Sequence, residues 1–192
     1  MFLINTRNIL RDIEKIFIDT KQNKFDEFIL KLETKSNNFF KTINIDAFTG
    51  TIVFTRRSKA AKTIVAVELQ EDGRTFYKPN QSLLTSMHIS ILFAISELAS
   101  EIKEENFPMI FDAPTSSFGE NKTAQFLDLI YGTDNQKILL IKDFLYTDKI
   151  SNTLSVKKEF DNIRRNKAFW VKLERPFDPN NLKTINSQVI TL

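Results

Sequence analysis

The stretch Met109-Ile110-Phe111-Asp112-Ala113-Pro114-Thr115-Ser116 decides the fold of this 192-residue chain. A short apolar run that ends in an aspartate predicts a buried strand with a carboxylate at its carboxyl end, the edge where α/β proteins bind their ligands. A carboxylate there suits Mg²⁺, which prefers carboxylate and phosphate oxygens. A structural alternative stays open, in which Asp112 caps the next element after a turn.

The residues after this stretch continue the pattern. Asn121 to Tyr131 predicts a helix, and Lys137 to Ile141 predicts a second buried strand, with short loops between them. Strand, helix, strand with short connections is typical of a parallel sheet. The sequence therefore predicts an α/β fold with a mostly parallel sheet and flanking helices.

The sequence before this stretch predicts helices on either side of a β-hairpin. Residues 7–42 repeat apolar side chains every three or four places, with a break at 20–23. Phe48–Phe54 and Thr63–Leu69 predict the two strands, around a polar turn at 56–59. A second turn follows at 71–74, where Asp-Gly closes the hairpin's second strand.

Three further segments complete the prediction. A long apolar helix runs from Ser82 to Ile102. Beyond the second buried strand, the sequence predicts a weak helix near Asp148–Ser151 and a final strand over Ala168–Leu173. The tail after Pro176 is predicted to be irregular.

Composition limits the class of protein. The chain is 42% hydrophobic and carries a net charge of +3, enough apolar surface for one core but too mild a charge to prove nucleic-acid binding. It has no cysteine, which excludes disulfides and thiolate metal sites. No run of eighteen apolar residues predicts a membrane span, and Met1–Asn5 lacks the basic start of a secretory signal. A cytoplasmic protein is expected.

The glycines exclude one motif. A phosphate-binding P-loop needs two glycines five residues apart, followed by Lys and Ser or Thr. The four glycines lie at 50, 73, 119 and 132, and no pair has that spacing. The chain cannot hold a triphosphate through a P-loop of its own.

The start of the apolar helix is a candidate anion site. Residues 79–86 read Pro-Asn-Gln-Ser-Leu-Leu-Thr-Ser, about thirty residues before Asp112. The free backbone N–H groups and positive dipole end of a helix start attract anions. An ordinary N-cap by Asn80 or Ser82 explains the same polar residues, so both readings stay open.

In this order the segments resemble a family. The C-terminal lobe of ABC-type ATPase heads carries a signature helix, a Walker B strand, a D-loop and a strand leading into an H-loop, and the closest likeness is to the SMC, RecN, RecF and DndD-like branch. Residues 80–98 and 107–122 carry the resemblance, which spans roughly 25–150. It implies a coiled-coil arm over 1–42 and the ATPase lobe over 43–175, which leaves the predicted irregular tail over 176–192.

The resemblance also implies a site. Asp112 matches the Walker B aspartate that positions Mg²⁺, and Glu120, beside the D-loop position, is a candidate accessory base. The remaining nucleotide-contacting positions are Asn80, Gln81, Ser82, Ser116 and Lys142. Ser82 is the natural hydroxyl to meet the γ-phosphate of ATP held by an opposite head. The implied cofactors are ATP and Mg²⁺. The implied partners are a P-loop-containing N-terminal lobe, a second head and DNA, with no membrane.

The chain departs from the family pattern in several places. The signature glycines are missing, Ala113 replaces the catalytic glutamate, and Gly119 stands where a D-loop aspartate is usual. Lys142 or Asp143 takes the place of the H-loop histidine. The expectation is half of an ATPase head, inactive alone, with slow or altered hydrolysis when assembled. The alternative is a degenerate lobe that serves as an interaction module. A free-standing nuclease is poorly supported, because no carboxylate cluster would hold two metals.

The remaining candidates have simpler interpretations. His88 and Trp170 are both expected to pack in the core. Two basic clusters either contact a phosphate backbone or form solvated surfaces. The first contains Arg56, Arg57, Lys59 and Lys62, and the second contains Lys157, Lys158, Arg164, Arg165 and Lys167.

Overall fold

A computed structural model describes residues 2–59, 62–103, 108–133, 135–141, 145–147, 154–158, 171–174 and 188–191. Its order begins with helix α1 (Phe2–Ile43), strands β1 (Thr51–Lys59), β2 (Lys62–Glu71) and β3 (Arg74–Thr75), and helix α2 (Gln81–Lys103). Strand β4 (Met109–Asp112), helix α3 (Glu120–Tyr131) and strand β5 (Lys137–Leu140) follow. The last strands are β6 (Leu145–Thr147), β7 (Leu154–Val156), β8 (Val171–Glu174) and β9 (Gln188–Thr191).

Helix α1 is continuous through the break expected at 20–23. Its 42 residues make it about 63 Å long. Between Thr6 and Lys31 every side chain is exposed except those of Gln22 and Ile29, so only the last third of the helix joins the core. Several of the exposed side chains are large and apolar: Ile9, Leu10, Ile13, Ile16, Phe17 and Ile18.

The hairpin is confirmed, but residues 56–59 are strand rather than turn. Strands β1 and β2 pair antiparallel from Thr51 with Gln70 to Lys59 with Lys62, so residues 56–59 belong to the strand and the predicted turn there is wrong. The positive charges of Arg56 and Arg57 are compatible with this strand because each is paired with an acidic side chain. Arg56 binds Asp26 on α1 at 3.2 Å, and Arg57 binds Glu68 on β2. The Asp-Gly turn is confirmed, with positive φ at Asp72 and Gly73 before β3.

Side chains of α1 cover the free edge of β1. The Asn37 amide forms two hydrogen bonds of 2.8 Å with the backbone of Ile52, donating to its carbonyl oxygen and accepting from its N–H. The Glu33 carboxylate accepts a 2.7 Å hydrogen bond from the N–H of Phe54. These bonds take the place of a neighbouring strand, because buried backbone polar groups need partners.

The predicted strand, helix, strand unit is confirmed. Strands β4 and β5 are parallel, with Ile110 opposite Ile138 and Asp112 opposite Leu140, and α3 connects them. The expectation of a mostly parallel sheet is wrong for the described strands, whose other pairs are all antiparallel. A parallel pair needs a crossover element, and of the described pairs only β4–β5 has one.

The core lies where α1, α2, β4 and α3 meet. Four aromatic rings pack one against the next, with neighbouring ring centroids 5.5–5.7 Å apart: Phe39, Phe93, Phe111 and Phe126. A second cluster joins Phe40 of α1 and the hairpin to the first half of α2. Lys35 of α1 bridges Glu97 and Glu101 of α2 at 2.8 Å. The hydrogen bonds that it donates to Glu101 and Glu97 hold the pKa of that ammonium above its ordinary value.

Helix α2 is the central core helix. By length and composition alone, residues 81–102 are apolar enough to span a membrane, but half of that window is buried inside the structure. Leu83, Met87, Phe93 and Leu98 pack against the other elements. Burial against α1, the hairpin and β4 accounts for its apolar composition without a membrane.

One face of the β4–β5 pair is open. Phe111 of β4 is buried, whereas Ile110, Ile138 and Leu140 are 66%, 44% and 53% exposed. Because side chains alternate along a strand, Asp112 lies on the same face as Ile110. Parallel sheets are normally covered on both faces. We call this surface, formed by Ile110, Asp112, Ile138 and Leu140, the open sheet face.

Three expectations concern later segments. The expectation of an irregular tail is wrong at residues 188–191, where β9 pairs antiparallel with β8. The final strand is confirmed in part, since β8 runs from Val171 to Glu174. The weak helix at 148–151 and Trp170 lie outside the described residues.

Candidate functional site

Helix α2 begins with a side-chain cap. The Asn80 Oδ1 atom accepts a 2.8 Å hydrogen bond from the N–H of Leu83, and the Asn80 carbonyl accepts one of 3.1 Å from Leu84. Asn80 is therefore the N-cap. The N–H groups of Gln81 and Ser82, the first two residues of the helix, have no acceptor within it. Gln81 is exposed and Ser82 is half-buried.

The Ser82 hydroxyl contacts a buried lysine. Lys122, on the core-facing side of α3, has a side chain only 3% exposed. Its Nζ donates to Ser82 Oγ at 2.9 Å and to Asp46 Oδ2 at 2.5 Å. The Phe118 ring lies 5.4 Å from the same nitrogen. One ammonium thus connects the start of α2, helix α3 and the segment after α1.

The loop after β4 is a chain of tight turns. Ala113, which follows Asp112, has φ +46°, the left-handed region that disfavours residues with a Cβ. Its N–H donates to Leu140 at 2.8 Å, and its carbonyl accepts from the N–H of Ser116 at 3.1 Å. Ser117 Oγ donates to Thr85 Oγ1 on α2 at 3.1 Å. Ser117 therefore joins the loop to α2, and Lys122 joins the following helix, α3, to the start of α2.

Asp112 is exposed at the carboxyl end of β4. The described residues contain no group of three or more His, Cys, Asp or Glu side chains that would hold a metal by themselves. A single carboxylate still fits Mg²⁺, because that ion usually keeps several waters and binds one or two carboxylates together with substrate phosphates. The donor set therefore fits a Mg²⁺ ion that arrives with a phosphate ligand.

The other predicted site residues are more scattered. Glu120 is exposed at the first position of α3, where a carboxylate interacts favourably with the helix dipole. Ser116 is exposed in the turn after Asp112. Lys142 lies outside the described residues.

Sequence reasoning missed Lys122. The signal was a lysine between Phe118 and Phe126, four residues from each, which places it on the apolar face of α3. Phe126 is fully buried, and that face carries Lys122 inward with it. Asp46, the partner that neutralises the charge, lies 76 residues away and could not be identified from spacing.

The expectation for His88 is wrong, because its side chain is exposed. Met87 and Ile89 on either side of it are buried, and helical geometry turns position 88 to the opposite face. Leu92 and Ile95 share that exposed face.

The basic clusters are only partly described. In the first, Arg56 and Arg57 are engaged by acidic partners. In the second, Lys157 is half-buried and Lys158 is exposed, and the three later members lie outside the described residues.

Solved structures resemble this arrangement. One is a structure of an SMC ATPase, described for its ATP-driven dimerization and DNA-stimulated activation. It is 12% identical to this chain, and the match covers 88% of both chains with a TM-score of 0.55. The chain has the fold of an SMC ATPase head. A second is the Smc head with an extended coiled coil, derived from Pyrococcus furiosus and bound to the C-terminal domain of ScpA. It is 14% identical with a TM-score of 0.60, over 94% of this chain and 39% of that one.

A third structure is an SMC head bound to the C-terminal winged-helix domain of ScpA. It is 12% identical, with a TM-score of 0.60 over 91% of this chain and 46% of that one. The chain thus spans less than half the length of these two SMC heads. Neither a protein-family model nor a curated protein matches its sequence.

Proposed function

We propose that this chain is the C-terminal lobe of an SMC-like ATPase head, which binds ATP and Mg²⁺ at an interface between two heads. The observation that carries the proposal is that α2 is connected both to the loop after β4 and to helix α3, which follows that loop. Ser117 binds Thr85, and Lys122 binds Ser82. The anion-attracting start of α2 and the carboxylate of Asp112 therefore belong to one connected unit.

Each residue has a distinct task in this proposal. The Asp112 carboxylate would hold Mg²⁺, an ion that neutralises charge on transferred phosphates. The N–H groups of Gln81 and Ser82 and the Ser82 hydroxyl donate to phosphate oxygens of ATP bound by the opposite head. Ala113 has no proton-accepting group, so Glu120 is the accessory candidate to orient water. Ser116 and Lys142 remain proposed contacts at the same nucleotide.

The open sheet face supports the proposal that a complementary half of the head covers it. Ile110, Ile138 and Leu140 present apolar side chains that a solvent-facing parallel sheet does not normally carry. The two ScpA-bound heads are more than twice as long as the region this chain matches. We assign the face to a P-loop-containing N-terminal lobe, on the same or a separate chain. Covering this face would bring that lobe's nucleotide next to Asp112.

The exposed part of α1 supports the assignment of residues 1–42 to an arm. An isolated helix gains little stability without packing, yet Ile9, Ile13, Ile16 and Phe17 are exposed. Their spacing of three and four residues forms one apolar stripe. A second helix packed along this stripe would complete a coiled coil, as in the extended coiled coil of the Pyrococcus head.

The proposed DNA partner rests on the resemblance to SMC proteins. The arginines of the hairpin do not support it, because Arg56 and Arg57 already bind carboxylates. The lobe would then act on DNA through movement of the arms rather than through the hairpin. The proposed setting is a soluble, cytoplasmic machine for repair, chromosome maintenance or defence.

The test is nucleotide-dependent assembly. The chain is mixed with the P-loop-containing half of its head, and mass is followed by light scattering with and without Mg-ATP. The wild-type complex should double in mass only with Mg-ATP, and Asp112→Ala should abolish the doubling by removing the metal ligand. Asp128→Ala is the matched control, since Asp128 is also exposed but lies on α3.

The result that contradicts the proposal is specific. Assembly that ignores Mg-ATP, or that survives Asp112→Ala unchanged, would favour the alternative of a degenerate lobe acting as an interaction module. ATPase activity of the chain by itself should be negligible, because the sequence contains no P-loop.

A further inference from the structure

The position of Lys122 is electrostatically unfavourable on its own. Burial removes the ammonium from water, and that costs free energy unless other groups replace the lost solvation. The amine also lies beside the start of α2, where the helix dipole is positive. Asp46 offsets part of this cost, but its side chain is 40% exposed, so water weakens the pair. The ammonium and the positive end of α2 therefore lie together at Ser82, and the Asp46 carboxylate that pairs with the ammonium is 40% exposed.

An anion at Ser82 would resolve this imbalance. We propose that Lys122 is a positioning residue that prepares the Ser82 hydroxyl to donate to a phosphate oxygen, an inference that rests on the proposed function. Its 2.9 Å hydrogen bond occupies an acceptor position of Ser82 Oγ. A hydroxyl has one proton and two lone pairs, so its proton remains available, and no described residue accepts it.

The same arrangement accounts for a departure from the family pattern. The resemblance places Asn80, Gln81 and Ser82 at the signature loop, where the usual glycines are missing. Their Cβ atoms restrict how closely the backbone approaches a phosphate. A hydroxyl held in one orientation, with an ammonium behind it, supplies directed donation and positive potential instead. Lys122 thus compensates for the missing glycines through Ser82.

A double-mutant cycle tests this. Lys122→Met, Ser82→Ala and the double variant are compared for their affinity in Mg-ATP-dependent assembly with the P-loop-containing half. Methionine replaces the apolar stem of the lysine but carries no ammonium to bury, and the exposed Asp46 is left in water. Thr123→Val is the control, because Thr123 is also buried on α3 and the change keeps its shape.

The expected result is a coupled loss. Lys122→Met should weaken assembly about tenfold in the wild-type background, the effect of one charge-assisted hydrogen bond. In the Ser82→Ala background it should change the affinity less than about twofold, because the group through which it acts is gone. Thr123→Val should leave assembly unchanged.

Two results overturn the inference in distinguishable ways. An equal loss from Lys122→Met in both backgrounds would mean that Lys122 only supports the fold, while the proposed function stands. A wild-type chain that ignores Mg-ATP would remove the proposed function and this inference together. Thermal unfolding checks that the variants fold. If Lys122→Met does not, Lys122→Gln takes its place, because glutamine keeps a polar group but is too short to reach Ser82.

Discussion

Ala113 combines a strained backbone with a missing catalytic group. Its φ of +46° lies directly after Asp112, the proposed metal ligand. A residue with a Cβ in this region costs about 1–2 kcal/mol. Strain of this kind is found at functional sites, where the surrounding structure enforces it. Here the hydrogen bonds to Leu140 and Ser116 hold the turn that presents Asp112.

Replacing Ala113 by glycine should relieve this strain. We expect Ala113→Gly to stabilise the chain by about 0.5–1 kcal/mol, since the relief exceeds the entropy that glycine loses on folding. Ala124→Gly, in the interior of α3, should instead cost about 1 kcal/mol. Urea unfolding measures both. A loss of stability from Ala113→Gly similar to that of the control would show that the turn is unstrained.

At the scale of elements, α1 acts as the neighbour that β1 lacks. Asn37 satisfies both the N–H and the carbonyl of Ile52, a residue with no exposed surface. Lys35 ties the same helix to α2 through Glu97 and Glu101. The last third of α1 is thereby fixed to the hairpin and to the helix that carries Ser82. Movement of the proposed arm would reach the site through these contacts.

Removing the Asn37 amide should weaken this junction. We expect Asn37→Ala to destabilise the chain by about 2–3 kcal/mol, because two buried backbone groups of Ile52 lose their partners. Asn38→Ala is matched in chemistry and helix position, but Asn38 is exposed, so its effect should stay within about 0.5 kcal/mol. Chemical denaturation compares the two. Equal effects would show that the amide of Asn37 is dispensable.

For the whole molecule, the open sheet face is an apolar surface that is exposed in the described part of the chain. The β4–β5 pair has four residues in each strand and is covered by helices on the Phe111 side. Its other face carries Ile110, Ile138 and Leu140 beside Asp112. A complementary lobe on this face would complete the sheet layer and the metal site at once.

A polar substitution on this face should separate folding from assembly. Ile138→Ser should change the stability of the isolated chain by less than about 1 kcal/mol, because the side chain is 44% exposed. It should weaken binding of the P-loop-containing half at least tenfold, since interface anchors cost more than about 1.4 kcal/mol when removed. Leu92→Ser, with a similarly exposed apolar side chain on α2, is the control. Isothermal titration calorimetry measures the affinity of both variants for the P-loop-containing half. Unchanged binding by Ile138→Ser would show that the partner binds at a different surface.

The local pattern of apolar and polar residues was enough to predict the strand at Met109–Asp112, the crossover helix, the parallel partner strand and the two long helices. It also excluded a P-loop, since glycine spacing is a property of sequence alone. These features depend on side-chain periodicity and turn chemistry within a few residues. Tertiary structure decided which face of each element turns inward. It exposed His88, extended the strand through Arg56 and Arg57, and buried Lys122 against Ser82 and Asp46. Arg56 binds Asp26, 30 residues away, and Lys122 binds Asp46, 76 residues away, and no local pattern encodes such contacts.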